Sequence, residues 1–341
     1  MTPPPDGGWV LGADSGGSGL RVALAAVREP AAEGGGVRVV DCVEFGEPVR
    51  TGAGGIDAAH LLERLLPAAE GLLGRAGGGR LAAVAVGAAG MATLGDELRA
   101  TLPEALRRSL GVGRLALAAD AVTAYAGALG QRPGAVVAAG TGLIALGTDL
   151  SGWRRADGWG HLLGDCGSGA WIGRAGLEAA MRAHDGRRGG SAALLARVEA
   201  LFGPPATLPG LLYPRADRPA VLASFAPEVA RCHADGDPVS AGILAAAARH
   251  IAEAAAAVCP PGHDEPEVAL TGGLFKMGDP LLVPLRAELA EHLPSARTVP
   301  AAGDPLDGAV AVAAALATGT LLLPREPGML DTTTLQPTDR A

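Results

Sequence analysis

The chain is poor in lysine, in paired cysteines and in long apolar runs. Lys276 is the only lysine among 28 basic residues, so arginine carries nearly all the positive charge. With 36 acidic residues the net charge is −8, which argues against a nucleic-acid backbone as partner. The same balance leaves a nucleotide open, because a nucleotide needs only a local nest of donors. Cys42, Cys166, Cys232 and Cys259 are scattered and form no CxxC, which excludes a zinc ribbon and a disulfide framework. His184, His233, His250 and His263 likewise lack the spacing of metal ligands. The first eight residues hold neither a basic n-region nor an apolar h-region, so no signal peptide is expected. Residues 309–323 are apolar but too short and Ala-rich for a membrane span, and read as a buried helix. A cytoplasmic address with no membrane partner is the expectation.

What is present is glycine, 52 residues of 341, within a 48% hydrophobic chain long enough for two domains. Two glycine turns stand between short apolar strands. The first is Gly12-Ala13-Asp14-Ser15-Gly16-Gly17-Ser18-Gly19-Leu20-Arg21, and the second is Ala138-Ala139-Gly140-Thr141-Gly142-Leu143. Glycine accepts positive φ and lets backbone N–H groups close on an anion, so two such turns suggest a duplicated phosphate clamp. The first lacks the lysine of a Walker loop. The segment after it, Leu20-Arg21-Val22-Ala23-Leu24, alternates like a strand rather than opening a helix, which excludes a dinucleotide fingerprint. A hairpin remains, with Asp14 placed to hold Mg²⁺ through water and Arg21 to reach a phosphate; a plain tight turn with a solvent-facing arginine reads as well.

The spacing predicts strands at 9–13, 20–27 and 37–45, a helix at 57–73, a strand at 81–86, a helix at 98–110, a strand at 115–118 and a helix at 120–129. The strand–turn–strand phrase then recurs at 135–148. Helices are expected at 167–183, 192–201, 221–234, 238–258, 280–292 and 307–318, strands at 267–270 and 298–299, and a Pro-rich connection at 204–219. The Ala-rich face at 241–257 suits a homodimer or internal packing equally. Two α/β domains result, 1–118 and 119–323, with helix 305–320 folding back on the first and a mobile tail at 324–341.

Three further segments point to a site. The strand ending at Gly87-Ala88-Ala89-Gly90 closes in small residues that let a ligand approach. Ala118-Ala119-Asp120 puts a carboxylate at a strand end, as a helix N-cap or a ligand-facing group. Asp157-Gly158-Trp159-Gly160-His161-Leu162-Leu163-Gly164-Asp165-Cys166-Gly167-Ser168-Gly169 is the densest stretch of the chain. Arg154-Arg155 before it reads as solvated surface.

Together with Thr271-Gly272-Gly273, these motifs resemble the N-acetylglucosamine kinase and BadF/BadG/BcrA/BcrD ATPase family of the sugar kinase/Hsp70/actin superfamily, over residues 9–320. The resemblance implies an α/β fold of two ribonuclease H-like (actin-like ATPase) domains with a ligand cleft between them. It implies an ATP-dependent hexosamine kinase that phosphorylates the 6-hydroxyl of N-acetylglucosamine or glucosamine, with Mg²⁺; a homodimer is the expectation from the Ala-rich face at 241–257. Asp120 would be the general base. Asp14 would orient the metal through water, and Gly16, Gly17, Ser18, Arg21, Gly140, Thr141 and Gly142 would hold phosphates. Gly272 and Gly273 would face adenosine. Asp165 would bond sugar hydroxyls, with Gly90, Gly158, Trp159, Gly160 and Cys166 about the sugar. The chain departs from the family pattern at Cys166 for Glu, Leu143 for Ser and Ala119 for Asn. An ATPase activating a partner enzyme and a non-catalytic nucleotide-binding regulator are the alternative readings.

Overall fold

The computed structural model describes residues 8–17, 19–27, 37–52, 55–262 and 265–335. Ser18, His263 and the first seven residues, all read above, lie outside the described residues. The chain runs β1 (Trp9–Gly16), β2 (Gly19–Val27), β3 (Val37–Phe45), β4 (Thr51–Gly52), β5 (Gly55–Ile56), α1 (Ala58–Arg75), β6 (Leu81–Ala88), α2 (Met91–Leu94), α3 (Asp96–Leu110), β7 (Arg114–Ala119) and α4 (Asp120–Leu129). It continues through β8 (Gly134–Ala139), β9 (Leu143–Thr148), β10 (Trp153–Asp157), α5 (Gly169–His184), α6 (Ala192–Phe202), α7 (Leu208–Leu212), α8 (Arg218–Ser224), α9 (Ala226–Ala234), α10 (Pro238–Val258), β11 (Glu267–Thr271), α11 (Asp279–His292), β12 (Arg297–Pro300), α12 (Pro305–Thr318) and β13 (Leu330–Thr334).

Two compact units divide the chain after Pro133 rather than at 118–119. The first unit keeps α4, because β7 runs straight into it, and takes back residues 148–153 and 300–341. Its six-stranded sheet has the order β13-β7-β6-β1-β2-β3. β1 pairs antiparallel with β2 and parallel with β6, and β6 pairs parallel with β7. Apolar side chains on both faces of β1 and β2 are buried, Leu11 and Leu24 at 0% exposure among them. Burying each such leucine contributes about 1.5–3 kcal/mol. α1 begins at Asp57, whose carboxylate accepts the His60 N–H at 3.0 Å, and buries Leu61, Leu65 and Leu72.

α12 packs on β1 and α4 of the same unit. Glycines make that contact close: a Cβ on Gly12 would meet the Val310 nitrogen at 2.6 Å, and one on Gly127 would meet the Asp304 carbonyl oxygen at 2.0 Å. The expectation of a mobile tail over 324–341 is corrected for residues 330–334, while residues 336–341 lie outside the described residues. Residues 330–334 pair antiparallel with β7, from Leu330 opposite Ala118 to Thr334 opposite Arg114. An edge strand of Thr and Asp gives no apolar run to read in sequence, and its partner strand supplies the order.

In the second unit, residues 134–147 and 154–299, the sheet order is β10-β9-β8-β11-β12, with β8 and β11 parallel. The core lies between this sheet and its helices, and α10 contributes Leu244, Ala247, Ile251 and Val258. α10 is long and apolar enough to cross a membrane, yet its Ala-rich face is spent on this core. The single helix expected at 221–234 is broken at buried Phe225, because Pro227 lacks an N–H and disfavours a helical conformation before it. Strand β10 was not expected, since its Arg154-Arg155 core hides the period of two.

Candidate functional site

In the first unit the parallel strands β1, β6 and β7 end side by side, and register aligns Asp14 with Gly87 and Gly87 with Ala118. Adjacent strands stand about 4.8 Å apart, so the carboxyl ends of β1 and β7, on either side of β6, are about 10 Å from each other. Carboxyl ends of parallel strands are where α/β sheets expose chemistry. Asp14 sits at the first, Gly90 follows the second with φ of 73°, and Asp120 opens α4 after the third. The Asp120 carboxylate accepts the Ala121 N–H at 2.9 Å, and its carbonyl oxygen accepts the Thr123 hydroxyl at 2.9 Å. Thr123 in turn requires glycine at position 87, where a Cβ would lie 2.6 Å from its Oγ1.

Asp14 and Arg21 face each other across the hairpin, and Arg21 donates to the Asp14 carboxylate at 2.7 Å. The same guanidinium donates to Asp304 at 2.5 Å. Asp304 escaped sequence reading because only tertiary packing brings residue 304 to residue 21. Burial pushes the Asp14 carboxyl above the ordinary carboxylate range, with Arg21 pulling the other way. Burial would also raise Asp304, but Arg21 and the N–H groups of α12 outweigh it and hold that carboxyl low. Gly16 and Gly17 have open space where a Cβ would stand. The hydroxyl of Ser15, 1% exposed, has no hydrogen-bond partner among the described residues.

The second unit builds its turn differently. The carbonyls of Gly140 and Thr141 accept the Gly169 and Ala170 N–H groups at 2.9 and 3.0 Å, so the start of α5 takes them. Ser168 caps that helix, accepting the Trp171 N–H at 3.2 Å. Gly272, with φ of 105°, presses against the Ala139 carbonyl, where a Cβ would lie at 2.2 Å. Gly140 and Gly273 face open space.

The loop after β10 is held by two carboxylates. Asp157, at φ of 61°, accepts the N–H groups of Asp165 and Cys166 at 2.5 and 2.8 Å. Asp165, at φ of 54°, accepts from Gly160 at 3.2 Å and from Leu143. A Cβ on Gly142 would meet its Oδ2 at 2.7 Å. Structure thus joins Gly142, Gly160 and Asp165, and gives Asp165 a bracing duty beyond the one expected. Burial raises the Asp165 carboxyl, Gly160 lowers it and the Asp157 charge raises it again. Burial and the charges of Asp157 and Asp165 raise the Cys166 thiol, so it stays protonated.

Arg155 is not solvated surface. It donates to the Asp157 and Gly158 carbonyls at 3.1 and 2.5 Å and lies over the Trp159 ring at 4.4 Å. Trp159 stays 61% exposed, with its flat face braced from behind. A Cβ on Gly158 would lie 2.8 Å from Ile144, so that glycine serves packing. Asp157 and Arg155 were missed as working residues, although an acid eight residues before another in a glycine-rich loop is a readable sign of a brace.

Nucleotide and metal can be tested against these residues. Gly16 and Gly17 in the first unit, and Gly140 and Gly273 in the second, each border open space that a Cβ would narrow, which fits phosphate or nucleotide at either turn. Among the described residues no three His, Cys, Asp or Glu side chains are grouped for a metal. A lone Asp14 suits Mg²⁺, which keeps its waters and takes one or two carboxylates plus phosphate oxygens.

The chain is similar to several known proteins. The chain is 38% identical over 107 residues to the N-acetylmuramic acid/N-acetylglucosamine kinase of Clostridium acetobutylicum, a match over 31% of this chain and 34% of that one. It thus spans about a third of the curated relative's length. A candidate N-acetylglucosamine kinase of Chromobacterium violaceum has a similar structure, with a TM-score of 0.68, 29% identity and coverage of 89% of this chain and 97% of that one. A ROK family glucokinase from Streptomyces griseus, solved with glucose and AMPPNP, is similar in fold alone, with a TM-score of 0.52, 19% identity and coverage of 92% and 100%. The sequence model of the BadF/BadG/BcrA/BcrD ATPase family matches residues 11–311, and the chain belongs to that family.

Proposed function

We propose that the chain is an ATP-dependent amino-sugar kinase that transfers the γ-phosphate of ATP to the 6-hydroxyl of N-acetylglucosamine or a close relative. The observation that carries this reading is the pair of carboxylates, Asp14 and Asp120, at the ends of the parallel strands β1 and β7 on either side of β6, beside an open glycine turn. Asp120 takes the proton of the attacking hydroxyl, as a single carboxylate suffices when most of the catalysis is positioning. Asp14 holds Mg²⁺ through water, and the ion when bound neutralises charge on the phosphate oxygens. Backbone N–H groups at Gly16, Gly17, Gly140, Thr141 and Gly142 hold the phosphates, with Arg21 beside them. Gly272 and Gly273 lie under adenosine.

On the acceptor side, Gly90 and Gly160 leave room for a ring, Gly158 lets Ile144 pack close behind the loop, Trp159 offers the ring an apolar face, and Asp165 accepts from its hydroxyls. Cys166, a neutral thiol in place of a carboxylate, removes a charge from that end and favours an acetamido over a free ammonium group. The name of the clostridial relative adds N-acetylmuramic acid to the candidates.

A coupled assay of ADP release tests this with N-acetylglucosamine, N-acetylmuramic acid, glucosamine, N-acetylmannosamine, glucose and no sugar. Release that requires an N-acetylated hexosamine supports the kinase. Equal release without sugar supports an activating ATPase, and nucleotide binding without release supports a regulator.

A further inference from the structure

We propose that Asp304 is a positioning residue that tunes the Asp14 site for a divalent cation, acting through Arg21. This rests on the kinase reading above. Asp304 uses its two carboxylate oxygens separately. Oδ1 accepts the Leu306 and Asp307 N–H groups at 2.8 and 3.1 Å and so caps α12, while Asp307 accepts the Asp304 N–H at 2.9 Å. Oδ2 accepts from Arg21 at 2.5 Å. The contact of Gly127 with the Asp304 carbonyl, and of Gly308 with Thr123, ties this cap to α4. Arg21 is therefore stretched between two carboxylates, one on β1 and one at the head of α12, within a single unit.

Charge counting shows what the second carboxylate adds. Asp14 and Arg21 alone sum to zero, and a neutral pair has little attraction for a dication. With Asp304 the group carries a net −1. Asp304 also pulls one arm of the guanidinium away. Without it, the planar fork turns onto Asp14 and engages both of its oxygens, since bidentate pairing is what guanidinium and carboxylate prefer. Asp14 would then have no oxygen to offer a hydrated metal ion. Surface ion pairs contribute little to stability, so a purely structural role for Asp304 predicts almost no effect once the cap is kept.

The test is Asp304→Asn, because asparagine caps helices as well as aspartate does. ATP affinity is measured by calorimetry on the full chain, with Mg²⁺ and with EDTA, beside thermal melting. The expected result is a loss of about tenfold in affinity for ATP with Mg²⁺, the scale of one charge at this range. Affinity in EDTA should be equal or higher, since the freed Arg21 can meet a phosphate. KM for ATP should rise more than kcat falls. Adding Arg21→Gln to Asp304→Asn should restore the Mg²⁺ enhancement, because Asp14 then stands alone with its charge. Asp304→Ser, which also caps, serves if the asparagine variant does not fold. An equal loss with and without Mg²⁺, or an enhancement equal to that of the unsubstituted chain, overturns the inference while leaving the kinase reading. Failure of the unsubstituted chain to bind ATP under either condition overturns both.

Discussion

The two units share a strand order and differ in what they place at their glycine turns. Counted within each main sheet, with the edge strand β13 set aside, the strands run third, second, first, fourth, fifth: β3-β2-β1-β6-β7 in one and β10-β9-β8-β11-β12 in the other. The first and fourth strands are parallel in both. In the first unit the turn is flanked by side-chain charge, Asp14 against Arg21 against Asp304, with Asp120 two strands away. In the second the turn is flanked by backbone: α5 takes its carbonyls, Gly272 lies flat against Ala139, and Asp165 braces Gly142. One phrase of chain thus supports two kinds of work. Charged groups that act on protons and metals belong to the first unit, and a shaped, prebonded backbone belongs to the second.

The largest expected effect comes from breaking the charged side. Asp120→Asn should lower kcat by about 10³-fold, the size typical of a lost general base, and leave the ATP dissociation constant unchanged. Steady-state rates with calorimetry check this, and a variant of normal rate removes Asp120 from the chemistry. Breaking the backbone side should cost stability instead. Gly142→Ala drives a Cβ into Asp165 and should destabilise by about 1–3 kcal/mol. Gly16→Ala meets nothing within 4 Å and should stay within about 0.5 kcal/mol of the parent, while weakening ATP binding. Denaturant melts compare the two directly. If Gly16→Ala is the more destabilised, the contrast between the turns is wrong.

Asp157→Ala leaves the N–H groups of Asp165 and Cys166 without their acceptor and should cost about 1–3 kcal/mol, read as a fall in melting temperature with weaker sugar binding. The smallest effect is a pH slope within the charged network. Asp14 has its carboxyl raised by burial, so its contribution to stability is full below the ordinary value of 3.8 and is lost as pH rises through its folded value. Asp304 is held low, so its contribution is present above 3.8 and lost as pH falls through its folded value. Melting curves of Asp14→Asn and Asp304→Asn across the acid range should therefore diverge from the parent in opposite senses. Parallel curves would show that Arg21 does not separate the two carboxyls.

Much of this was legible in the residues. Alternation with β-branched and small apolar side chains marked β1, β2 and β3, and helical spacing marked α4, α10 and α12. The turns were legible because glycine at 16, 17, 140 and 142 breaks apolar runs at points where nothing else in the sequence demands it. Less visible were the helix break at Phe225, where one proline outweighs a continuous Ala-rich pattern, and β13, whose threonines pair only because β7 offers an edge. Glycine roles also divided in a way the string of letters conceals. Gly16, Gly17, Gly140 and Gly273 border open space, whereas Gly142, Gly158 and Gly272 admit a neighbouring atom.

Local pattern was enough to point to two α/β units and to single out Asp14 and Asp120 as candidates, because strand alternation, turn chemistry and residue type are properties of adjacent positions. The partnership of Arg21 with Asp304, the pairing of β13 with the first sheet, and the brace from Asp165 to Gly142 came only with tertiary structure. They join residues up to 283 positions apart, and no periodicity in a chain reports which distant surfaces will bury one another.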